Sequence, residues 1–238
     1  MLELKMDFLI ENPDLPLELD RALLSFIKKA LSNYSEELYN QLYDKNRSIL
    51  KSYCFAYYLP GARFLKNHIH LRKNSFSITF SDPDLEELLT FFNAFSLMLF
   101  QKYSIYRNSM ELISVKFQNL PEIKNSEIII RMQSTLLARK HDLDNKDTYY
   151  TCEDSEFSSV IKENLNFFLK KNQISFSTDS FSITPVNAKK IVARVWGRTR
   201  DASIGDFKLS GDPQLLTFLQ SAGIGSRRSE GHGKWRLC

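Results

Sequence analysis

Near the end of this 238-residue chain stands AGIGSRRSEGHGKW, Ala222–Trp235, which holds four of the 8 glycines together with Arg227, Arg228 and His232. Glycine loses backbone entropy on folding and supplies no packing, so such a cluster implies unusual dihedrals or close approach by another group. Bare N–H groups at Gly223, Gly225, Gly231 and Gly233 can cradle phosphate oxygens, and Arg227, Arg228 and Lys234 add positive charge around them. The stretch follows an expected helix and precedes an extended segment, the reverse of the order in a Walker loop or a dinucleotide fingerprint. Elsewhere, His68 and His70 are spaced i and i+2 on one strand face. They fit an acid/base pair, two metal ligands, or a plain polar strand surface. His141 stands in a charged loop without an evident partner. The carboxylate groups Asp82/Asp84 and Asp142/Asp144/Asp147 are what a metal-dependent nuclease would require, but the first reads better as a helix cap and the second as a solvated loop. Neither a metal nor a cofactor is expected.

A second basic stretch points to the same kind of partner. Lys189 to Arg200 reads as one long strand, in which Lys190, Arg194, Arg198 and Arg200 share a face with Trp196 while Ile191, Ala193 and Val195 take the other. Cationic side chains around an aromatic suit single-stranded or hairpin RNA, where phosphates meet Arg and Lys and bases stack. The polar outer face of an edge strand is the plain alternative. The net charge of +4 lies entirely in Arg194–Cys238, which carries eight Lys or Arg against four acids. An anionic partner would approach that end.

The elements that position these residues follow from periodicity. Leu2, Leu4, Met6, Phe8 and Ile10 alternate as a half-buried strand, and Leu23, Leu24, Ile27, Ala30 and Leu31 recur at helical spacing up to about Asn33. Strands are expected over Tyr53–Leu59, Phe64–Leu71, Phe76–Phe80 and Leu112–Phe117, with a helix after Asp82-Pro83-Asp84. The order β-α-β-β-α-β is that of ferredoxin-like domains. The second half repeats it less cleanly: a strand at Ile128–Met132, a helix through Phe157–Leu169, a hairpin around Thr178-Asp179 within Ile174–Ile183, then the basic strand and a strand over Phe207–Leu209. Asp212-Pro213 opens a last helix, for which Gly223 serves as a left-handed cap. Two α+β domains with antiparallel sheets, 1–120 and 121–238, account for the pattern. The three scattered cysteines make neither a disulfide framework nor a zinc site, which suits a reducing compartment, and neither a signal peptide nor a membrane span is expected, so the reading is cytoplasmic.

The tail GIGSRRSEGHG preceded by GDPQLLTFLQSA, together with the opening LELKMDFLIE and LDRALLSFIKKAL, resembles the CRISPR-associated RAMP-superfamily endoribonucleases, the sixth Cas protein family. The resemblance spans nearly the whole chain. It implies tandem ferredoxin-like (RAMP/RRM-like) domains and cleavage of precursor CRISPR RNA within its repeats, without metal, by attack of a ribose 2′-hydroxyl on the adjacent phosphate. The partner is then CRISPR repeat RNA, with other effector subunits as further candidates, and the working state a monomer or homodimer. Tyr43, in QLYDKNRSILK, stands where the family usually has its catalytic histidine. The resemblance therefore points to Lys28, Tyr43 and Lys51 as the cutting centre, the lysines stabilising the pentacoordinate phosphate and Tyr43 acting as acid or orienter. His232 falls where the family's loop often has an aromatic, which implies packing or RNA contact. Because the histidine is missing, a RAMP-fold protein that binds repeat or guide RNA in an effector complex without cutting it is the alternative.

Overall fold

Leu4, Met6, Phe8 and Ile10 are all buried along the strand β1 (Leu2–Ile10), as their alternation requires. A computed structural model describes residues 1–44, 49–141 and 146–238. They fall into two compact units, one of Leu2–Lys51 with Tyr57–Asn119, the other of Leu120–Cys238 with Met1 and Ser52–Ala56.

In the first unit β1 is followed by β2 (Asp14–Pro16), α1 (Leu19–Tyr34), α2 (Glu36–Tyr43), β3 (Cys54–Tyr58), β4 (Arg63–Phe64), β5 (His68–His70), β6 (Ser75–Ser81), α3 (Leu85–Ser96), β7 (Lys102–Ile105) and β8 (Asn108–Asn119). Tyr57 and Tyr58 are the part of β3 that belongs here. The main sheet is ordered β3-β6-β1-β8-β7, with β1 antiparallel to both β6 and β8. The apolar faces of α1 and α3 supply its core: Phe26 packs edge-on against Phe8 at 5.4 Å and stacks with Phe95 at 6.1 Å. Each such buried ring stabilises the fold by roughly 2 kcal/mol. Asp84 caps α3, its carboxylate accepting from the amides of Glu86 and Glu87, and Asp82 accepts from the amide of Asp84.

The short strands β2 and β7 were not expected, and two further elements of this unit differ from expectation. The strand expected over Phe64–Leu71 is broken by a turn in which the Leu65 amide donates to the His68 carbonyl, leaving the short pair β4 and β5 in the sheet β2-β5-β4. Helix α2 was not anticipated because it buries no side chain and so shows no apolar stripe. Its start is set by Ser35, whose extended backbone ends α1 and whose Oγ accepts from the Leu38 amide, with Glu36 and Glu37 at the positive end of the helix dipole.

The second unit runs β9 (Glu127–Met132), β10 (Ala138–His141), β11 (Asp147–Tyr150), α4 (Phe157–Lys171), β12 (Ser182–Val195), β13 (Arg198–Ser210), α5 (Pro213–Ala222), a 3₁₀ turn (Arg228–Glu230) and β14 (Trp235–Leu237). Its sheet is ordered β12-β13-β9-β14, and β10 pairs with β11 alone. Asp212 caps α5 through the amides of Gln214 and Leu215. The hairpin expected around Thr178-Asp179 is absent: Ser182 and Ile183 pair instead with Ser210 and Leu209 of β13. The long strand expected over Lys189–Arg200 is two strands, because the chain reverses at Trp196-Gly197, with φ of 51° and 76°. Positive φ at both central residues is the requirement of the two-residue turn whose twist matches a β-hairpin. β12 forms the edge of this sheet, with Pro185, Lys189, Lys190 and Arg194 all exposed. No helix among the described residues is long and apolar enough to cross a membrane.

Candidate functional site

In the first unit, the helical period of α1 buries Leu23, Phe26, Ile27 and Ala30 and leaves Lys28 half-buried at the margin of that stripe. Tyr43 is the last residue of α2, and Tyr39, one turn earlier, stacks on it with ring centroids 5.4 Å apart. The Lys28 ammonium lies 4.8 Å from the centre of the Tyr43 ring and the Lys51 ammonium 4.7 Å from it. Lys51 Nζ also donates to the Ile49 carbonyl at 3.5 Å. An ammonium over an aromatic face is attracted by the ring quadrupole, so one tyrosine organises two positive charges. The structure thus brings Lys28, Tyr43 and Lys51 together. Residues 45–48, in the middle of the QLYDKNRSILK stretch, lie outside the described residues.

Beside this cluster is an open hollow of about 660 Å³ lined by Lys28, Lys29, Ser25, Ser32, Tyr39 and Tyr103, with Asn33 and the acidic Glu36 also on its wall. The Tyr103 hydroxyl donates to Ser25 Oγ at 2.8 Å. Cationic and hydroxyl groups around an open hollow are what a phosphodiester needs to be neutralised and held. Sequence reasoning missed Ser25, Tyr39 and Tyr103. The i, i+4 spacing of Tyr39 and Tyr43 becomes informative only once the Ser35-Glu36-Glu37 cap is read as a helix start.

The glycine-rich loop of the second unit is packed and hydrogen-bonded within the protein. Its amides are engaged within the protein: Gly223 donates to Leu219, Ile224 to Gly233, Gly231 to Arg228 and Gly233 to Thr135. A cradle of bare amides is therefore not present at Gly223, Gly231 or Gly233. Other parts of the protein approach these glycines closely. A Cβ on Gly233 would sit 2.0 Å from the Ile224 carbonyl oxygen, and one on Gly223 2.7 Å from Cys54 Sγ, both at positive φ. Gly223 has φ 74° and ψ 178°, outside the left-handed helical region expected of a cap. Gly225 likewise packs against Leu136 and Leu137.

Three of the loop's polar residues are also turned inward. Arg228 is buried with its guanidinium 3.4 Å above the Phe168 ring and donates to the Ala222 carbonyl. Lys234 is buried with Nζ donating to the Gln220 carbonyl. His232 is buried beside Thr135, Nδ1 to Oγ1 2.6 Å, and burial together with the Arg227 charge pushes its pKa down to about 4. The imidazole is neutral at pH 7.

Arg227 points elsewhere and ties the loop to β11, while Glu230 bonds the loop to the β12–β13 hairpin. Arg227 donates to Glu230 Oε2 at 2.9 Å and to the Tyr149 hydroxyl at 3.2 Å, and Trp196 Nε1 donates to the same Glu230 oxygen at 2.7 Å. Arg200 lies over the Tyr149 ring at 5.1 Å. The turn at Trp196-Gly197 corrects the expected grouping of basic residues. Residues directly opposite in the ladder share a face, so Arg198 and Arg200 lie with Val195 and Ala193, over the apolar cluster of Leu137, Ala193, Val195 and Ala202. Lys190 and Arg194 lie on the other face with Asp201, to which Lys190 is bonded at 2.8 Å. Trp196, half-exposed at the tip, belongs to neither. His141 does have a partner, Asp147, at 2.8 Å. Asp142 and Asp144 lie outside the described residues.

Antiparallel sheets backed by helices, with a cationic hollow in one unit and a basic hairpin in the other, define an α+β protein of the ferredoxin-like RAMP type. Among solved structures the chain is similar to one described as "An RAMP protein binding different RNA substrates" (TM-score 0.85, 16% identity, 100% of both chains covered). It is similar also to "Characterization of a Cas6-related gene from Pyrococcus furiosus" (TM-score 0.86, 16% identity, 100% of this chain and 98% of that one) and to "CRISPR associated protein Cas6" (TM-score 0.77, 18% identity, 100% and 99%). No curated protein sequence matches. The family model described as CRISPR associated protein Cas6, C-terminal, matches residues 118–237, and the chain belongs to that CRISPR-associated family.

Proposed function

We propose that this protein binds CRISPR repeat RNA and cuts it by attack of a ribose 2′-hydroxyl on the adjacent phosphate. The observation that carries the reading is the placement of two lysine ammonium groups on one tyrosine ring beside an open hollow. In the reaction the 2′-oxygen bonds to phosphorus as the bond to the 5′-oxygen breaks, leaving a 2′,3′-cyclic phosphate and a 5′-hydroxyl. Negative charge grows on the non-bridging oxygens in between, and Lys28 and Lys51 are the groups that stabilise it. One lysine protonates the departing 5′-oxygen while the 2′-hydroxyl proton passes to water. Tyr43 positions both lysines through its ring. A phenol is suited to donate a hydrogen bond or orient rather than to accept a proton near neutral pH. RNA along the second unit would meet Arg194 and the Trp196 tip, with Lys190, Arg198 and Arg200 flanking. The loop from Gly223 to Lys234 is joined to that surface through the Glu230–Trp196 and Arg227–Tyr149 hydrogen bonds.

Labelled cognate repeat RNA, incubated with the protein in EDTA, tests the reading. Native RNA should be cut and RNA with one 2′-deoxy nucleotide at the cut site should not. Binding without cleavage of either would overturn it in favour of a non-catalytic repeat-binding protein, the reading favoured by the presence of Tyr43 where the family usually has histidine.

A further inference from the structure

We propose that Asp14, His68 and His70 form a binding site for a late first-row divalent metal of the zinc class, fastening β2 to β5. Among the described residues these three offer ligand atoms that all lie within 4.8 Å of one another. His70 Nδ1 is 2.7 Å and His68 Nε2 3.5 Å from the same carboxylate oxygen, Asp14 Oδ1. Metal–nitrogen and metal–oxygen bonds of about 2.0–2.2 Å place neighbouring ligand atoms roughly 3 to 3.5 Å apart. The His68–Asp14 distance already lies in that range, and an ion would replace the hydrogen bond that now joins His70 to Asp14.

The arrangement is held by paired backbone. In the β2–β5 ladder Asp14 lies opposite His70 and Pro16 opposite His68, and the strand period puts both imidazoles on one face. Asn108 fixes the backbone at Asp14 by donating from Nδ2 to the Asp14 carbonyl at 2.7 Å and to that of Asn12 at 2.8 Å. All three side chains are between 40 and 49% exposed, so water can complete the coordination sphere and the ion can enter without opening the fold. Two imidazoles and one carboxylate are a donor combination that would suit zinc, iron, nickel or copper over magnesium or calcium. The lysines and tyrosine proposed to cut RNA stand on α1, α2 and the residues that follow, so the metal site is separate from that chemistry in its ligands. An ion bound there would stabilise the folded chain by mass action.

Calorimetric titration of the chelator-stripped full chain with Zn²⁺ should give one ion per chain with micromolar or tighter affinity. Asp14→Asn, His68→Gln and His70→Gln should each weaken it at least about tenfold, and His141→Gln should not. On the unsubstituted chain, substoichiometric Ni²⁺ should broaden the imidazole NMR signals of His68 and His70 before those of His141 and His232. Absence of micromolar binding, affinity indifferent to the three substitutions, or broadening that begins at other histidines would overturn the site. None of these outcomes bears on RNA cleavage in EDTA.

Discussion

The Lys51 ammonium sits 4.7 Å from the centre of the Tyr43 ring, close to the distance at which Lys28 reaches the same ring. Two like charges converge there on the face of a single aromatic ring, each attracted by its quadrupole. Such a pair would favour the negative charge of a phosphodiester brought against it.

Removing a lysine from this arrangement should slow chemistry more than binding. Lys51→Ala is expected to lower the single-turnover cleavage rate by about 10²-fold or more while changing RNA affinity by less than about threefold. Tyr43→Phe keeps the ring and should retain at least about a tenth of the rate; Tyr43→Ala should fall as far as Lys51→Ala. Equal loss in Tyr43→Phe and Tyr43→Ala would assign the role to the hydroxyl instead.

The two faces of the hairpin should differ in their response to salt. Arg194 stands on the outward face, so Arg194→Ala should reduce the slope of log affinity against log salt by about one. The Arg200 guanidinium lies on Tyr149 over an apolar cluster, and Arg200→Ala should lower thermal stability with a smaller effect on that slope. Filter binding at several salt concentrations separates the two.

Trp196 holds φ of 51°, a conformation in which asparagine is more at ease than a bulky aromatic. Trp196→Asn loses the bond to Glu230 but relaxes the turn, so unfolding free energy should change by less than about 1 kcal/mol. RNA affinity should fall about fivefold or more through loss of base stacking. Unchanged affinity would remove the tip from the RNA path.

His232 predicts an acid-side loss of stability. In the unfolded chain it titrates near 6.5 and in the fold at about 4, so between those values the unfolded chain holds the extra proton. The contribution is complete above pH 6.5 and declines as pH falls toward 4, by up to about 3 kcal/mol. Urea denaturation of the protein and of His232→Gln across pH 4–7 should show the difference between them shrinking by about that amount at the acid end.

Much of the framework was legible because burial writes its period into the chain. The alternation in β1, the stripe on α1, and the Asp84 and Asp212 caps all stand in the structure where the residues placed them. What escaped has physical reasons. Helix α2 buries nothing and leaves no stripe, and a turn made by tryptophan and glycine hides inside a continuous β-prone run. The glycine cluster was correctly read as a place of close approach, but composition does not reveal that the approaching groups are Ile224, Cys54 and Leu136 of the protein itself. Lys28, Tyr43 and Lys51 were grouped by family likeness; their shared ring is visible only in three dimensions.

The edge position of β12 has a consequence for the protein's behaviour in concentrated solution. Pro185 lacks the donor a docking strand would need, and Lys189, Lys190 and Arg194 repel the same residues of another molecule. Self-association along that margin is therefore held off partly by electrostatic repulsion, and it should become easier when high ionic strength or a neutralising polyanion masks the cations.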